Sequence, residues 1–285
     1  MKILAKLKHF SELIALSHTL FSLPFILIAM VVATGGLPPP WLLAYGVAAA
    51  FFARTFAMGV NRYADMEFDA KNPRTACRPS VDGRVSTRMQ LFFIVVSGAG
   101  FVAVSFLIND LALKLSFLFL PILAAYSYFK RFSSSAHIIL GLSLALAPIA
   151  GEIAVNESVS TWNICLAMGV LFWVAGFDIF YALQDMEFDK KEGLYSIPSV
   201  FGETKAMMFA ALFHTLAVVF WFFFVKLAHL SFISMFGVLF AAILLGFEHY
   251  LVRKDKSAIN KAFFTLNGYL GIIFFALTTI DILDK

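Results

Sequence analysis

Charge is scarce in this sequence. Asp, Glu, Lys and Arg make up 14% of its 285 residues against 61% hydrophobic ones, and the mean hydropathy is +0.86. A soluble globular domain is about a quarter charged and about half apolar, so a water-soluble enzyme or binding module is excluded. Cysteine is scarcer still. Cys77 and Cys165 are the only two; they stand far apart, which leaves no disulfide framework, no CxxC pair and no thiolate metal cluster. A leader cleavage site is also missing. The basic start "MKILAKLKHF" looks like a leader, but the apolar run behind it, from about 13 to 33, outlasts the ~7–15 residues of a leader's core, and no small-x-small site follows. That run is expected to be a retained first membrane helix.

Long apolar runs are abundant. A span needs ~20 apolar residues to cross a ~30 Å hydrocarbon core, and the chain offers nine: 12–34, 41–60, 89–108, 112–129, 136–154, 162–183, 206–225, 230–248 and 262–281. The fold class expected is all-α: a polytopic membrane protein of nine transmembrane helices forming a single domain over 1–285. Basic residues remain in cytoplasmic loops, and here they fall on one side. With the N-terminus inside, eighteen Lys and Arg lie in the tail and the even-numbered connections, against Lys114, Lys226 and Lys285 on the other side, with Arg54 inside a span. The positive surplus is therefore a signature of membrane orientation, and no nucleic-acid partner is expected.

Against this scarcity of charge, one acidic pentapeptide occurs twice. "DMEFD" stands at 65–69 and at 185–189, each time where an even-numbered span emerges on the cytoplasmic side. If each copy continues the helix before it, residues four apart share a face. The first copy then aligns Asn61, Asp65 and Asp69, and the second aligns Asp178, Tyr181, Asp185 and Asp189; Glu67 and Glu187 point away. Carboxylates one turn apart repel each other, more so near a membrane where water screens poorly. A divalent cation relieves that repulsion. An all-oxygen ligand set favours Mg²⁺ or Ca²⁺ over zinc or copper, and Mg²⁺ completes its shell with water and substrate phosphates. Two facing acidic stripes are thus expected to hold Mg²⁺ with a diphosphate between them.

Bases follow each copy: Arg74 and Arg78 in "RTACRP", and Lys190 and Lys191 in "KKEG". They are candidates for charge-assisted hydrogen bonds to the diphosphate. Arg54 lies seven residues before Asn61 on the same face and ~10 Å deeper. An arginine inside a membrane is a functional candidate, with pairing to Asp178 as its structural alternative. His18 in the first span, and Asn260 and Asn267 entering the last, receive no role.

"NRYADMEFD" followed by "NPRTACRP", with "DIFYALQDMEFDKKEG" downstream, resembles the paired aspartate motifs of the UbiA superfamily of intramembrane prenyltransferases. "HTLFSLPF" (18–25) and "YSYFKRF" (126–132) add to the likeness, which extends over essentially the whole chain. The resemblance implies helices around a central cavity open to membrane lipid, in which Mg²⁺ binds a polyprenyl diphosphate through Asn61, Asp65 and Asp69 on one side and Asp185 and Asp189 on the other. Asp178 and Tyr181 stand in the leading part of the second motif and, with Arg54, are the catalytic candidates, Asp178 as a group near the cation or the phenol. Many members carry Asp directly after the first Asn; here that position is Arg62, which by spacing leaves the stripe. The implied reaction is ionisation of the allylic C–O bond and attack by an electron-rich aromatic ring. Lys130 or Arg131, with Arg54 in competition, would hold the carboxylate of an aromatic acid.

"SHTLFSLPF" and "YALQDMEFDKKEG" look most like the bacterial 4-hydroxybenzoate branch, whose product serves ubiquinone. The same branch extends to 1,4-dihydroxy-6-naphthoate for menaquinone, and the two acceptors stay open. The expected location is the bacterial inner membrane, with the site facing the cytoplasm. A cation transporter is the rival of another class. Transporters usually place ion ligands near the bilayer midplane, whereas most of these acids stand at one face and are trailed by bases.

Overall fold

A computed structural model describes residues 19–256, 259 and 265–285; Lys2, Lys6, Lys8, His18, Asn260 and Lys261 lie outside them. Among the described residues all regular structure is helical. In chain order the helices are α1 (Thr19–Thr34), α2 (Pro40–Ala64), α3 (Met66–Lys71), α4 (Thr87–Ile108), α5 (Asp110–Phe129) and α6 (Ala136–Asn156). They continue with α7 (Thr161–Ala182), a 3₁₀ turn (Leu183–Asp185), α8 (Met186–Glu192), α9 (Ile197–Leu227), α10 (Phe232–Lys254) and α11 (Asn267–Leu283). Each apolar run read from the sequence overlaps one α-helix of the described residues. Seven are long and apolar enough to cross a membrane: α2, α4, α5, α6, α9, α10, and α7 taken through to Glu192. The described parts of α1 and α11 are apolar but shorter, at 16 and 17 residues.

Local chemistry sets the helix ends. Asn109 separates α4 from α5: its extended backbone ends one helix, its side chain accepts from the Ala112 N–H at 2.7 Å to begin the next, and its amide donates to the Ile153 carbonyl at 2.8 Å. A helix N-terminus leaves N–H groups unpaired, and such a cap satisfies one. The seventh run, expected from 206, starts at Ile197 because Ser196 and Ser199 form a reciprocal capping box ahead of Pro198. Gly202, at φ 78° and ψ 168°, then kinks α9 in a backbone conformation open to glycine.

α7 is the central helix, packed between α6 and α9. Lipid is as apolar as leucine, so close packing rather than water exclusion holds such helices together. Gly141 allows α6 to touch α7 backbone to backbone: a Cβ there would lie 2.3 Å from the Leu171 carbonyl oxygen. Trp173, Trp221, Phe25 and Phe274 form an aromatic knot, with Phe25 stacked on Trp221 at 5.7 Å. α1 packs on α6 and α11, so the first and last described helices lie side by side. The loops after α2, α5 and α7 meet at one end of this bundle; those after α4, α6 and α9 meet at the other.

Candidate active site

The two DMEFD copies share a local structure. α2 ends at Ala64, and Asp65 leaves the helix at φ −90° and ψ 2° before α3 begins. α7 ends in its 3₁₀ turn, and Asp185 sits at φ −105° and ψ 5° before α8. The expectation of an unbroken helix through each copy is therefore corrected: both break at their first aspartate, in the sparsely used bridge region where many active-site residues sit. The facing of the acids survives, because the Asp69 N–H donates to the Asp65 carbonyl at 2.8 Å and restarts the helical spacing at once.

Both copies open into one cavity of about 220 Å³. Asn61, Asp65, Asp69, Asp185 and Asp189 all line it, while Glu67 and Glu187 are exposed outside it. The loop after the first copy reaches across to the second. Arg74 Nε donates to Asp185 Oδ1 at 2.9 Å, a second guanidinium nitrogen makes a shorter bond to Oδ2, and Asn72 donates to Oδ1 at 2.9 Å. Arg74 also donates to the Tyr181 hydroxyl at 2.8 Å. Arg78 forks onto Asp69 at 2.7 and 2.5 Å, Lys130 stands 3.4 Å from Asp189, and Asn61 donates to Asp65 at 2.9 Å. Burial, with Asp69 adding repulsion, pushes the Asp65 carboxyl up to about 6. Burial opposes the Lys130 charge, yet the carboxylates around it, Asp189 first, hold the ammonium above the ordinary lysine value.

Lys190 and Lys191 are not brought in. Both are exposed, neither lines the cavity, and Lys190 pairs with Glu187 at 3.1 Å. Arg131 lines the mouth but is exposed, bonded to the Ala64 carbonyl at 2.5 Å and stacked between Phe68 and Tyr128. Arg62, set aside by spacing, is buried and lines the cavity. Arg54 stands deep in the wall, its Nε buried without a hydrogen-bond partner.

Asp178 lines the cavity too, paired not with Arg54 but with His137 Nδ1 at 2.6 Å. The Ile197 N–H donates to His137 Nε2 at 3.2 Å. That nitrogen is therefore the acceptor, and the ring proton sits on Nδ1, donated to Asp178. His137 escaped the sequence reading because it is a lone histidine with no motif around it. Asn72, inside "NPRT", likewise carries no spacing signal that marks it as a partner of Asp185. Asn267 lies away from the cavity, accepting from Trp173 Nε1 at 2.7 Å and donating to Glu248 at 3.2 Å.

The donor set suits a hard cation. The carboxylates stand as two pairs; among the described residues no three acid, His or Cys side chains converge on one point. Mg²⁺, which needs only one or two carboxylates beside water and phosphate oxygens, fits such pairs.

The fold and the site together define a protein of long apolar helices whose repeated acids and converging bases line one cavity. The sequence pattern of the UbiA prenyltransferase family matches residues 22–276, and the chain belongs to that family. Its relatives include the 4-hydroxybenzoate octaprenyltransferase of Tolumonas auensis, 32% identical over 256 residues that cover 87% of this chain and 86% of that one. The enzyme of the same name from Citrobacter koseri is 31% identical over 255 residues, 87% and 85% of the two chains. Among solved structures, a UbiA homolog from Aeropyrum pernix K1 superposes with a TM-score of 0.84 at 30% identity, covering 93% of this chain and 98% of that one. A UbiA homolog from Archaeoglobus fulgidus bound to DMAPP and Mg²⁺ shares the fold, with a TM-score of 0.77 at 21% identity over 97% and 99% of the chains.

Proposed function

We propose that this protein transfers a polyprenyl group from its diphosphate to an aromatic acid of the 4-hydroxybenzoate type, with Mg²⁺, in respiratory quinone biosynthesis. One observation carries the reading: the two DMEFD copies, 120 residues apart in sequence, line one cavity with Arg74, Arg78 and Lys130 around them and Arg54 deeper in the wall. The names of the relatives and the ligands of the Archaeoglobus structure agree with it. Nine spans are proposed, with α1 and α11 completing the seven long helices, the N-terminus inside, and the cavity facing the cytoplasm of a bacterial inner membrane. Family membership sets the cation transporter aside.

Asp65, Asp69, Asp185 and Asp189, with Asn61, would hold Mg²⁺, which when bound draws charge from the leaving diphosphate. Arg74, Arg78 and Lys130 turn their charge-assisted hydrogen bonds toward the diphosphate oxygens and stabilise the charge that grows as the allylic C–O bond breaks. Leu140, Leu144, Val174 and Phe177 form an apolar wall that keeps water from the cation. The acceptor's ring carbon attacks C1, and the ring then releases a proton. Asp178, oriented by His137, is positioned to take a proton from the phenol or the ring. For the acceptor's carboxylate Arg54 is favoured: Lys130 is engaged with Asp189 and Arg131 with the Ala64 carbonyl, whereas Arg54 keeps a free N–H at depth.

The test supplies purified protein with Mg²⁺, a long-chain prenyl diphosphate, and 4-hydroxybenzoate or 1,4-dihydroxy-6-naphthoate in parallel, with product detected by mass. Prenylated hydroxybenzoate is expected. Product from the naphthoate alone would move the protein to menaquinone synthesis, and product from neither would overturn the reading.

A further inference from the structure

We infer that two short buried side chains, Asn72 and Ser196, are positioning residues for the acids of the second DMEFD copy. Asn72 holds Asp185 and Ser196 holds Asp189, and both acids stay aimed into the cavity when Arg74 and Lys130 turn to a diphosphate. The inference rests on the function proposed above.

It starts from the way the two carboxylates are shared. Each has one long basic partner and one short neutral one. Asp185 accepts from Arg74 Nε and from Asn72 Nδ2, both at 2.9 Å. Asp189 has Lys130 at 3.4 Å and a hydrogen bond from the Ser196 side chain. The bases are charges on long stems and can follow an anion that enters the cavity. Asn72 and Ser196 are only 7% and 0% exposed. A buried donor that leaves its acceptor loses a hydrogen bond with no water to replace it, so these two stay in place.

The surrounding backbone fixes both. Asn72 closes α3: its N–H donates to the Phe68 carbonyl at 3.1 Å, and its Oδ1 accepts from the Arg74 N–H at 3.0 Å. With the oxygen engaged there, the amide turns its NH₂ end to Asp185. Ser196 lies in the short connection from α8 to α9 and is pinned on either side. The Tyr195 N–H donates to the Lys130 carbonyl at 2.7 Å, and the Ile197 N–H to His137 Nε2 at 3.2 Å. The Ser196 oxygen accepts from the Ser199 N–H at 3.2 Å as the cap of α9. A hydroxyl has one proton and two lone pairs, so the cap uses the oxygen and leaves the proton for Asp189.

The experiment titrates Mg²⁺ into the purified protein in detergent with inorganic pyrophosphate and reads binding as a rise in unfolding temperature. Loss of a hydrogen-bond partner behind a metal ligand typically costs about 10- to 100-fold in metal affinity. Asn72→Ala and Ser196→Ala should therefore each raise the half-saturating Mg²⁺ concentration by about tenfold or more. Ser196→Thr keeps both the cap and the hydroxyl proton and should restore it. Ser199→Ala breaks the other half of the capping box and should lower the unfolding temperature without moving the Mg²⁺ midpoint. If Ser196→Ala fails to fold, Ser196→Gly takes its place, since glycine caps a helix nearly as well. An unmoved midpoint in either hydrogen-bond-deleted residue would overturn its positioning role, and an equal shift in Ser199→Ala would reduce Ser196 to a helix cap; the donor site would stand in both cases. No Mg²⁺-dependent stabilisation of the unaltered protein by pyrophosphate would overturn the proposed donor site, and the positioning with it.

Discussion

Buried carboxylates stand at both ends of this bundle and are satisfied in different ways. At the far end, Glu152 accepts from the Ser160 N–H at 2.9 Å and its hydroxyl at 2.5 Å, and Asp281 accepts from the Ser231 and Ser234 N–H groups at 2.9 and 3.0 Å. At the site end, Asp69, Asp185 and Asp189 accept from Arg78, from Arg74 and Asn72, and from Lys130. A backbone N–H cannot move away without unfolding a turn, so an acid bound to it is part of the frame. Long basic side chains rotate freely, so an acid bound to them can exchange its partner for a cation while the base turns to an anion. On the function proposed above, this difference would separate structural acids from working ones better than burial does, since both kinds are buried.

The contrast can be broken most sharply by Asp185→Ala. We predict a loss of about 10²–10³-fold or more in prenyl transfer with little change in thermal stability; a collapse of stability with activity per folded molecule preserved would place Asp185 with the frame. Next in size is Arg54→Gln. Losing a charge-assisted hydrogen bond of about 1.5–3 kcal/mol should raise the acceptor's KM roughly 10- to 100-fold and leave the donor's KM alone, as steady-state kinetics with each substrate varied will read. An effect on the donor alone would send the acceptor's carboxylate to Lys130.

Asp281→Ala should do the reverse of Asp185→Ala. It leaves the buried Ser234 N–H and the half-buried Ser231 N–H unpaired and should cost about 1–3 kcal/mol of stability, seen as a lower unfolding temperature in detergent, while kcat/KM per folded molecule holds. Loss of turnover at full stability would contradict the division between the two ends. The smallest effect belongs to Lys190→Ala. An exposed i, i+3 pair is worth about 0.3–0.5 kcal/mol, so neither activity nor stability should move measurably; a tenfold fall in donor affinity would return Lys190 to the diphosphate site.

Much of the site was legible because its chemistry is repeated. Two copies of DMEFD in a chain this poor in charge mark the acids, and i, i+4 spacing separates the cavity-lining aspartates from Glu67 and Glu187. Spacing misled at Arg62, because a long flexible side chain can reach a cavity from a position off the stripe. It also missed the break at Asp65 and Asp185, since nothing in "ADMEF" or "QDMEF" stops a helix: no Gly or Pro is present. His137 was invisible because its meaning lies in a contact with Asp178, 41 residues away.

Sequence alone determined that the chain is helical and apolar enough to cross a membrane, where nearly all of its helices run, and which carboxylates of the two repeats line the cavity, because hydropathy and helical spacing are local properties of the chain. Only the tertiary structure decided which bases reach those carboxylates. Lys190 and Lys191 follow the second copy directly and face away, whereas Arg74 lies 111 residues from Asp185 and grips it. Partner choice between charged side chains depends on which loops the packed helices bring to the same end of the bundle, and adjacency in sequence does not specify that.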